Sequence, residues 1–494
     1  MKTKKFLPVG HVSFYLSFLL SGKGKTGGLL FWLVLMPFAS KGQIELTREK
    51  SRELALQYSR HIAISAKEKE KAVYTRKSYN AKFYPRLSAN GMFMYRTGAL
   101  DYTLEGGYLP TYVPSLTEQK LVPNLLLDPA GKPVIGPDGN PVFKSYAFMP
   151  DVDMDITMEG VGIASLTLEQ PVYMGGKIRA AAEMAKTGEE LADENIRLNR
   201  AKVLSETDAA YWQYVRVNEK LEVAVKYSSL LSQLVKQLTD AYSTGMISRN
   251  DLLKAEVKKN EADLMVRKAK NGLELARMNL CRITGLPYQT DIVVNDSLPD
   301  MPSIEALTAE DNIGLRPEYK MLEKNINLKE KEIDLVRADF LPQIGVGASY
   351  SYIEGPQLND MRTSDNAFSA MATVTIPIFG WGEGRNKVKS AQADYEISKL
   401  KMEDARELME LELTQARFNM KDAQSRVEMT RLSLKQAEEN LRVSKNMYEL
   451  GSESLTDYLE AQVQWQKARS ELIEAKAELK LSETRYLRAT GRLE

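Results

Sequence analysis

From Gln343 the chain alternates. Ile344, Val346, Ala348, Tyr350 and Tyr352 are apolar, and Gln343, Gly345, Gly347, Ser349 and Ser351 between them are small or polar. A second run repeats the period, with Phe368, Ala370, Ala372, Val374 and Ile376 set against Ser369, Met371, Thr373 and Thr375. A period of two predicts strands with one apolar and one wet face. Each run is about 9 or 10 residues, the length a tilted transmembrane strand needs, and Tyr350, Tyr352, Phe379 and Trp381 stand at the ends, where an aromatic girdle would lie. A hairpin in a soluble sandwich alternates in the same way, so this segment alone gives only an amphipathic strand pair.

Downstream the period changes to seven. Leu413, Met420, Val427, Leu434, Leu441 and Tyr448 recur at heptad spacing, with Ala416, Ala423, Thr430, Ala437 and Ser444 three residues after the first five. Beyond a turn, Tyr458, Trp465, Leu472, Leu479 and Tyr486 alternate with Ala461, Ala468, Ala475, Ser482 and Ala489. This is a coiled-coil pattern with a large residue at one seam position and a small one at the other, and small seam residues let helices approach closely. Ala255, Ala262, Ala269 and Ala276 repeat the small seam earlier in the chain.

That repetition is general. Gln170-Pro171-Val172-Tyr173-Met174, followed by Gly175-Gly176, resembles Ile376-Pro377-Ile378-Phe379-Gly380, followed by Trp381-Gly382, at an offset of 206 residues. The same offset superposes Tyr242 on Tyr448, Gly245 on Gly451, Ser248 on Ser454, Asp251 on Asp457 and Gly285 on Gly491 without a gap. Upstream, Lys82-Phe83-Tyr84-Pro85-Arg86-Leu87 matches Asp339-Phe340-Leu341-Pro342-Gln343-Ile344 at an offset of 257, so the first half carries 51 extra residues. They fall around Asp101 to Asp155, rich in Pro, Gly and Tyr, and read as a long surface loop between two strands.

The duplication predicts two structural repeats, 43–285 and 316–494, joined by a linker at 286–315. Each reads as helix, strand, loop, strand, very long helix, turn and long helix, with the long loop of the first repeat at about 97–157. The long helices run from about Lys177 to Thr244 and from Glu383 to Leu450, each roughly 100 Å at 1.5 Å per residue. Four strands per chain are too few to close a barrel around a channel, so several chains must contribute.

Lys2, Lys4 and Lys5 precede an apolar stretch, and Lys23 and Lys25 precede a second from Leu29 to Ala39 with small residues after it. We read 1–42 as an export signal cut near Gly42. A single N-terminal anchor and a misassigned start codon are the alternatives for so long a leader. No later segment reaches transmembrane-helix length, so a membrane crossing has to use strands. The chain balances 67 basic against 66 acidic residues, but the leader holds six lysines and no acid, leaving the remainder at about −5. A nucleic-acid binder is disfavoured. With one cysteine, Cys281, and only His61 outside the leader, neither a zinc site nor a histidine triad has its residues. No catalytic, metal or cofactor site is expected. Charge at 27% of residues and a mean hydropathy of −0.35 fit helices solvated on two surfaces.

These features together resemble the TolC-like outer membrane efflux family, the outer membrane factors of Gram-negative export systems. The resemblance rests on the duplicated strand pair and helix hairpin, on Phe340-Leu341-Pro342-Gln343-Ile344 at a helix-to-strand junction, on Arg316-Pro317-Glu318 opening a helix, and on the Tyr-x-x-Gly turns at Tyr242 and Tyr448. It implies an α+β membrane protein. Three chains would each give four strands to a twelve-stranded transmembrane β-barrel, continued across the periplasm by an α-helical coiled-coil barrel. It implies a homotrimer in outer membrane lipid, a periplasmic adaptor, an inner membrane transporter of the RND type, and a passive exit duct for small toxic compounds. An exit channel for type I protein secretion shares the architecture, and a periplasmic tether without a lumen is an alternative of a different class.

The resemblance also places a gate. Acidic side chains ringing the periplasmic constriction fall on Asp457 and Glu460. The family often has an arginine two residues past the glycine of the second turn, linked to a first-half aspartate. This chain departs from that pattern: Glu453 stands there, Asp251 keeps the aspartate position, and Arg249 precedes it by two. A swapped Arg249–Glu453 pair, beside Tyr242 and Tyr448, is the expected linkage. The two turns, Tyr242 to Asn250 and Tyr448 to Leu455, with Gly245, Gly451, Ser248 and Ser454, are the expected adaptor-docking tips.

Overall fold

The computed structural model describes residues 44–493 apart from 99, 116–118, 158–159, 304–305, 307, 309 and 359–360, so the expected export signal lies outside the described residues. A short strand β1 (Ile44–Glu45) precedes helices α1 (Arg48–Tyr58) and α2 (Arg60–Ala81), which lead into β2 (Arg86–Met94). An excursion follows: β3 (Leu100–Leu104), β4 (Gly107–Pro110), β5 (Tyr112–Pro114), β6 (Leu121–Pro123), β7 (Tyr146–Met149) and β8 (Val152–Thr157). Then come β9 (Val161–Met174), α3 (Lys177–Ser243), α4 (Arg249–Thr284) and β10 (Ile292–Val293). The second repeat is α5 (Pro317–Ala338), β11 (Gln343–Leu358), β12 (Met361–Thr375), α6 (Glu383–Glu449) and α7 (Leu455–Ala489).

The offsets seen in the sequence are offsets of structure. Helices α3 and α6 have 67 residues each and superpose end on end at 206. Helices α2 and α5 have 22 each and do so at 257. Each long helix therefore spans about 100 Å. The heptads decide their packing: Leu413, Met420, Val427 and Leu434 are buried on α6, as are Ala461, Ala468, Ala475, Leu472 and Leu479 on α7. Helix α3 packs beside α2 along its first half and α4 along its second, and against α5 and α7 on its other side. Helix α6 packs beside α5 and α7. The order across the molecule is thus α2 and α4, then α3, then α5 and α7, then α6.

The shorter helices form two-part columns beside the long ones. Gly285, which caps α4, lies so close to Tyr58 that a Cβ would sit 2.6 Å from the tyrosine Cβ, and Gly491 lies as close to the backbone of Leu315 and Arg316 just ahead of α5. Only glycine fits at such junctions. Around this level the linker is clasped to the helices. Strands β1 and β10 pair in parallel, Leu46, Tyr211, Trp212, Leu280, Cys281, Ile292 and Ile473 share one core, and the Tyr211 hydroxyl donates to Asp296.

The strands lie in the order β2, β9, β11, β12, all antiparallel. Two expectations need correction. β11 has 16 residues and β12 has 15, longer than the alternating runs, so Tyr350 and Tyr352 sit within a strand rather than at its end. The second concerns the excursion, expected as loop, which is built of β structure: β3 pairs β8, β4 pairs β7 and β5 pairs β6 in successive tiers. Strand β8 also hydrogen-bonds to the far end of β11. Proline and glycine mark the breaks between tiers rather than an absence of structure.

Candidate functional site: the strand wall and the helix-hairpin tips

The register across the four long strands sorts the side chains into rows. Ser88 lies opposite Thr167, Thr167 opposite Ser349 and Ser349 opposite Ser369. The next row runs Ala89, Leu166, Tyr350, Phe368, and the one before it Leu87, Leu168, Ala348, Ala370. Successive side chains point to opposite faces, so along these rows the sheet has a hydroxylic face and an apolar one. On the latter, Leu87, Leu166, Tyr350 and Phe368 are exposed, with Phe368 at 73%. Apolar side chains standing open on one face of a wall are what lipid requires and what water penalises. Pro171 is accommodated at a bulge, where Val172 is skipped between β9 and β11. Among the described residues no helix is long and apolar enough to cross a membrane.

At the opposite end each helical hairpin turns on a glycine. Gly245 and Gly451 have φ of 75° and 71°. Their N–H groups donate to the carbonyls of Tyr242 and Tyr448, both 3.0 Å, and the next residues, Met246 and Ser452, donate to Ala241 and Met447. The left-handed residue closes the helix and satisfies carbonyls otherwise left bare. The second helix of each hairpin then opens on a serine cap: Ser248 and Ser454 each accept from the backbone N–H three residues on and donate their hydroxyls, at 2.7 Å, to Asp251 and Asp457.

The structure thus gives most of the expected tip residues a definite local partner. Asp457 sits in the first turn of α7 on the Ser454 hydroxyl, and Asp251 is its counterpart on α4, also 3.5 Å from Lys254. The Ser-x-x-Asp spacing that produces this was readable as a cap. Glu460, one turn further, accepts from Gln464 and lines a groove of about 580 Å³ between α4 and α7, whose walls are Leu253, Val257, Leu459 and Val463 with Lys254 at the edge. Sequence periodicity does not show this groove, because its two walls belong to different repeats. Tyr448 stacks on Tyr458 with ring centroids 5.2 Å apart. Burial first, and the charge of Asp251 second, push its hydroxyl pKa up. Tyr242, the counterpart, is more exposed. Glu453 takes its hydrogen bond from Ser444 at 2.7 Å. Among the described residues Arg249 has no ion-pair partner within the protomer, so Arg249 and Glu453 do not pair inside one chain.

The arrangement is a wall: one wet face, one apolar face, long helical continuations and capped tips. The sequence matches the family described as "Outer membrane efflux protein" over residues 155–286 and 311–492. It is similar to the outer membrane efflux protein BepC of Brucella suis, 23% identical over 337 residues, 67% of this chain and 72% of that one. It is also similar to the alkaline protease secretion protein AprF of Pseudomonas aeruginosa, 22% identical over 49% of this chain and 51% of that one. The fold is shared with the outer membrane protein VceC of Vibrio cholerae, with a TM-score of 0.67 at 16% identity, covering 90% of this chain and 96% of that one. The chain belongs to the outer membrane efflux protein family. It is an outer membrane efflux channel that reaches across the periplasm, a duct rather than a catalyst, working with an adaptor and an inner membrane transporter.

Proposed function

We propose that three copies of the chain close into one tube, a twelve-stranded barrel in the outer membrane continued by a barrel of helices, and that it passes small toxic compounds delivered by an RND-type pump. The observation that carries this reading is the four-stranded sheet with one apolar face and two long edges, β2 and β12, neither paired along its outer side among the described residues. A long bare edge in a membrane wall leaves backbone groups without partners in lipid. Joining β12 of one copy to β2 of the next supplies the partners and closes the wall.

At the periplasmic end the same symmetry brings together three copies of Asp457 and Glu460. Six carboxylates around one axis attract cations and repel anions. Arg249 and Glu453 then pair between neighbouring hairpins, and the two capped turns present themselves to the adaptor. Planar bilayer recording tests the reading. We expect small cation-selective steps from the parent and larger, less selective steps from the Asp457→Asn/Glu460→Gln double variant. Identical conductance and selectivity in the two would remove these residues from the gate, and a silent bilayer would favour a tether.

Protein secretion is a second reading, supported by the likeness to the protease secretion protein AprF. The two separate in a host lacking its own outer membrane channels. Restored resistance to detergents and dyes, with no new protein in the medium, supports small-compound efflux, whereas the reverse supports secretion.

A further inference from the structure

The duplication relates more than two hairpins. In one protomer, α3 of the first repeat is tied to the second repeat by ion pairs: Arg216 and Lys220 to Glu474 on α7, and Glu190 and Glu183 to Lys324 and Lys331 on α5. In a closed ring built from these repeats, α6 must meet the next copy's α2 and α4 as α3 meets α5 and α7. The helix order leaves α6 at one edge and the α2–α4 column at the other. Both strand edges agree, since β12 leads into α6 and α2 leads into β2.

Moving each ion pair by the repeat offset gives the residues that would face one another between copies. Arg216 becomes Asp422 and Glu474 becomes Lys268, so both charges are reversed and the attraction is kept. Glu190 becomes Glu396 and Lys324 becomes Lys67, an acid and a base again. Glu183 becomes Lys389 and Lys331 becomes Tyr74, a cation facing an exposed aromatic ring, which also attract. Lys220 becomes Arg426, a cation like Lys268, so that pair is not kept and Asp422 alone carries the attraction to Lys268. Asp422 and Lys268 are exposed and, among the described residues, have no ion-pair partner within the protomer. Among the described residues, Lys67 and Glu396 pair only with Glu70 and Lys399 three residues along their own helices.

We propose that the partner for this face is a second copy of the chain, with Asp422 of one copy meeting Lys268 of the next and Glu396 meeting Lys67. The contact is head-to-tail, the kind that closes a ring. Its apolar content is lower than that of the contact inside the protomer, because Ile473 and Ala477 of the shared core correspond to Arg267 and Asn271. Charge therefore sets which surfaces meet and in what register. The inference rests on the trimeric reading and adds to it the pairing of particular residues.

The test uses the full chain with Cys281→Ala, which removes the one native thiol, carrying Asp422→Cys and Lys268→Cys together or singly. A short bis-maleimide is added to the detergent-extracted protein, whose mass is measured in parallel. We expect covalent dimers and trimers on a denaturing gel from the double variant and monomers from either single variant. A particle of three chains that yields only monomers with the double variant overturns the pairing and leaves the trimer intact. A particle of one chain overturns the trimer itself. As a second readout, Asp422→Lys and Lys268→Glu are each expected to lower the fraction of unheated trimer, and the two together to restore it. No recovery in the double variant counts against the pairing.

Discussion

Ser454 and Asp457 hold one another at the first turn of α7, and Ser248 and Asp251 do the same on α4. Each serine satisfies one of the bare N–H groups at its helix start, a contribution of about 1 kcal/mol. Replacing Ser454 by alanine should loosen the tip without unfolding the hairpin. Hydrogen exchange of the amides at 455–459 is expected to speed by about fivefold, with the middle of α7 unchanged. Uniform acceleration along the helix would show that the cap supports more than its own turn. At the other end of α7 the Tyr486 hydroxyl donates to Asp311 at 2.9 Å. Burial, then this carboxylate, raises its pKa to about 12 from an ordinary 10.0. The folded state binds the proton more tightly than the unfolded chain, so this contribution is fully present below pH 10 and is lost as the pH climbs toward 12. Thermal unfolding midpoints should show less decline over that window for Tyr486→Phe than for the parent, together with a cost of about 1 kcal/mol at neutral pH for the lost hydrogen bond. An equal decline in both would exclude Tyr486 as a source of alkaline sensitivity.

The helices were the most legible elements, because a seven-residue period with a small seam position specifies both a helix and its neighbour, and because each helix occurs twice. Ala475 shows what the pattern encodes: it is fully buried in the core shared by Leu472, Leu479, Val427 and Leu434. Leucine at this position has no room, and overpacking of this kind costs about 1–3 kcal/mol. We expect Ala475→Leu to lower the unfolding midpoint of the detergent-extracted protein and Ala475→Ser to leave it closer to the parent, whereas a leucine variant as stable as the parent would contradict close packing of this seam. The excursion between β2 and β9 was not legible in the same way. Strands such as Tyr112–Pro114 and Leu121–Pro123 have three residues each, too few to display a period, and their prolines and glycines read as turns. The groove beside Glu460 and the clasp of β1 on β10 escaped for another reason: both join segments far apart in sequence, and periodicity reports only on neighbours along the chain. At the tips, a reading of charge alone passes over the local role of Asp251 and Asp457, which the serine three residues before each announces as a cap.

At the scale of the whole molecule, one protomer is an open strip. Its sheet shows hydroxyls on one face and Leu87, Leu166, Tyr350 and Phe368 on the other, its strand edges are β2 and β12, and its helices run on from those edges in the same order. Nothing in a single strip encloses water. In the closure we propose, copies joined edge to edge do so, and the duplicated charges on α6, α2 and α4 face one another across that contact. The mass of the detergent-extracted protein, with bound detergent subtracted, tests this most directly. Three chains in one particle that separate only on heating are what the account predicts; a single chain, stable and folded, would contradict it.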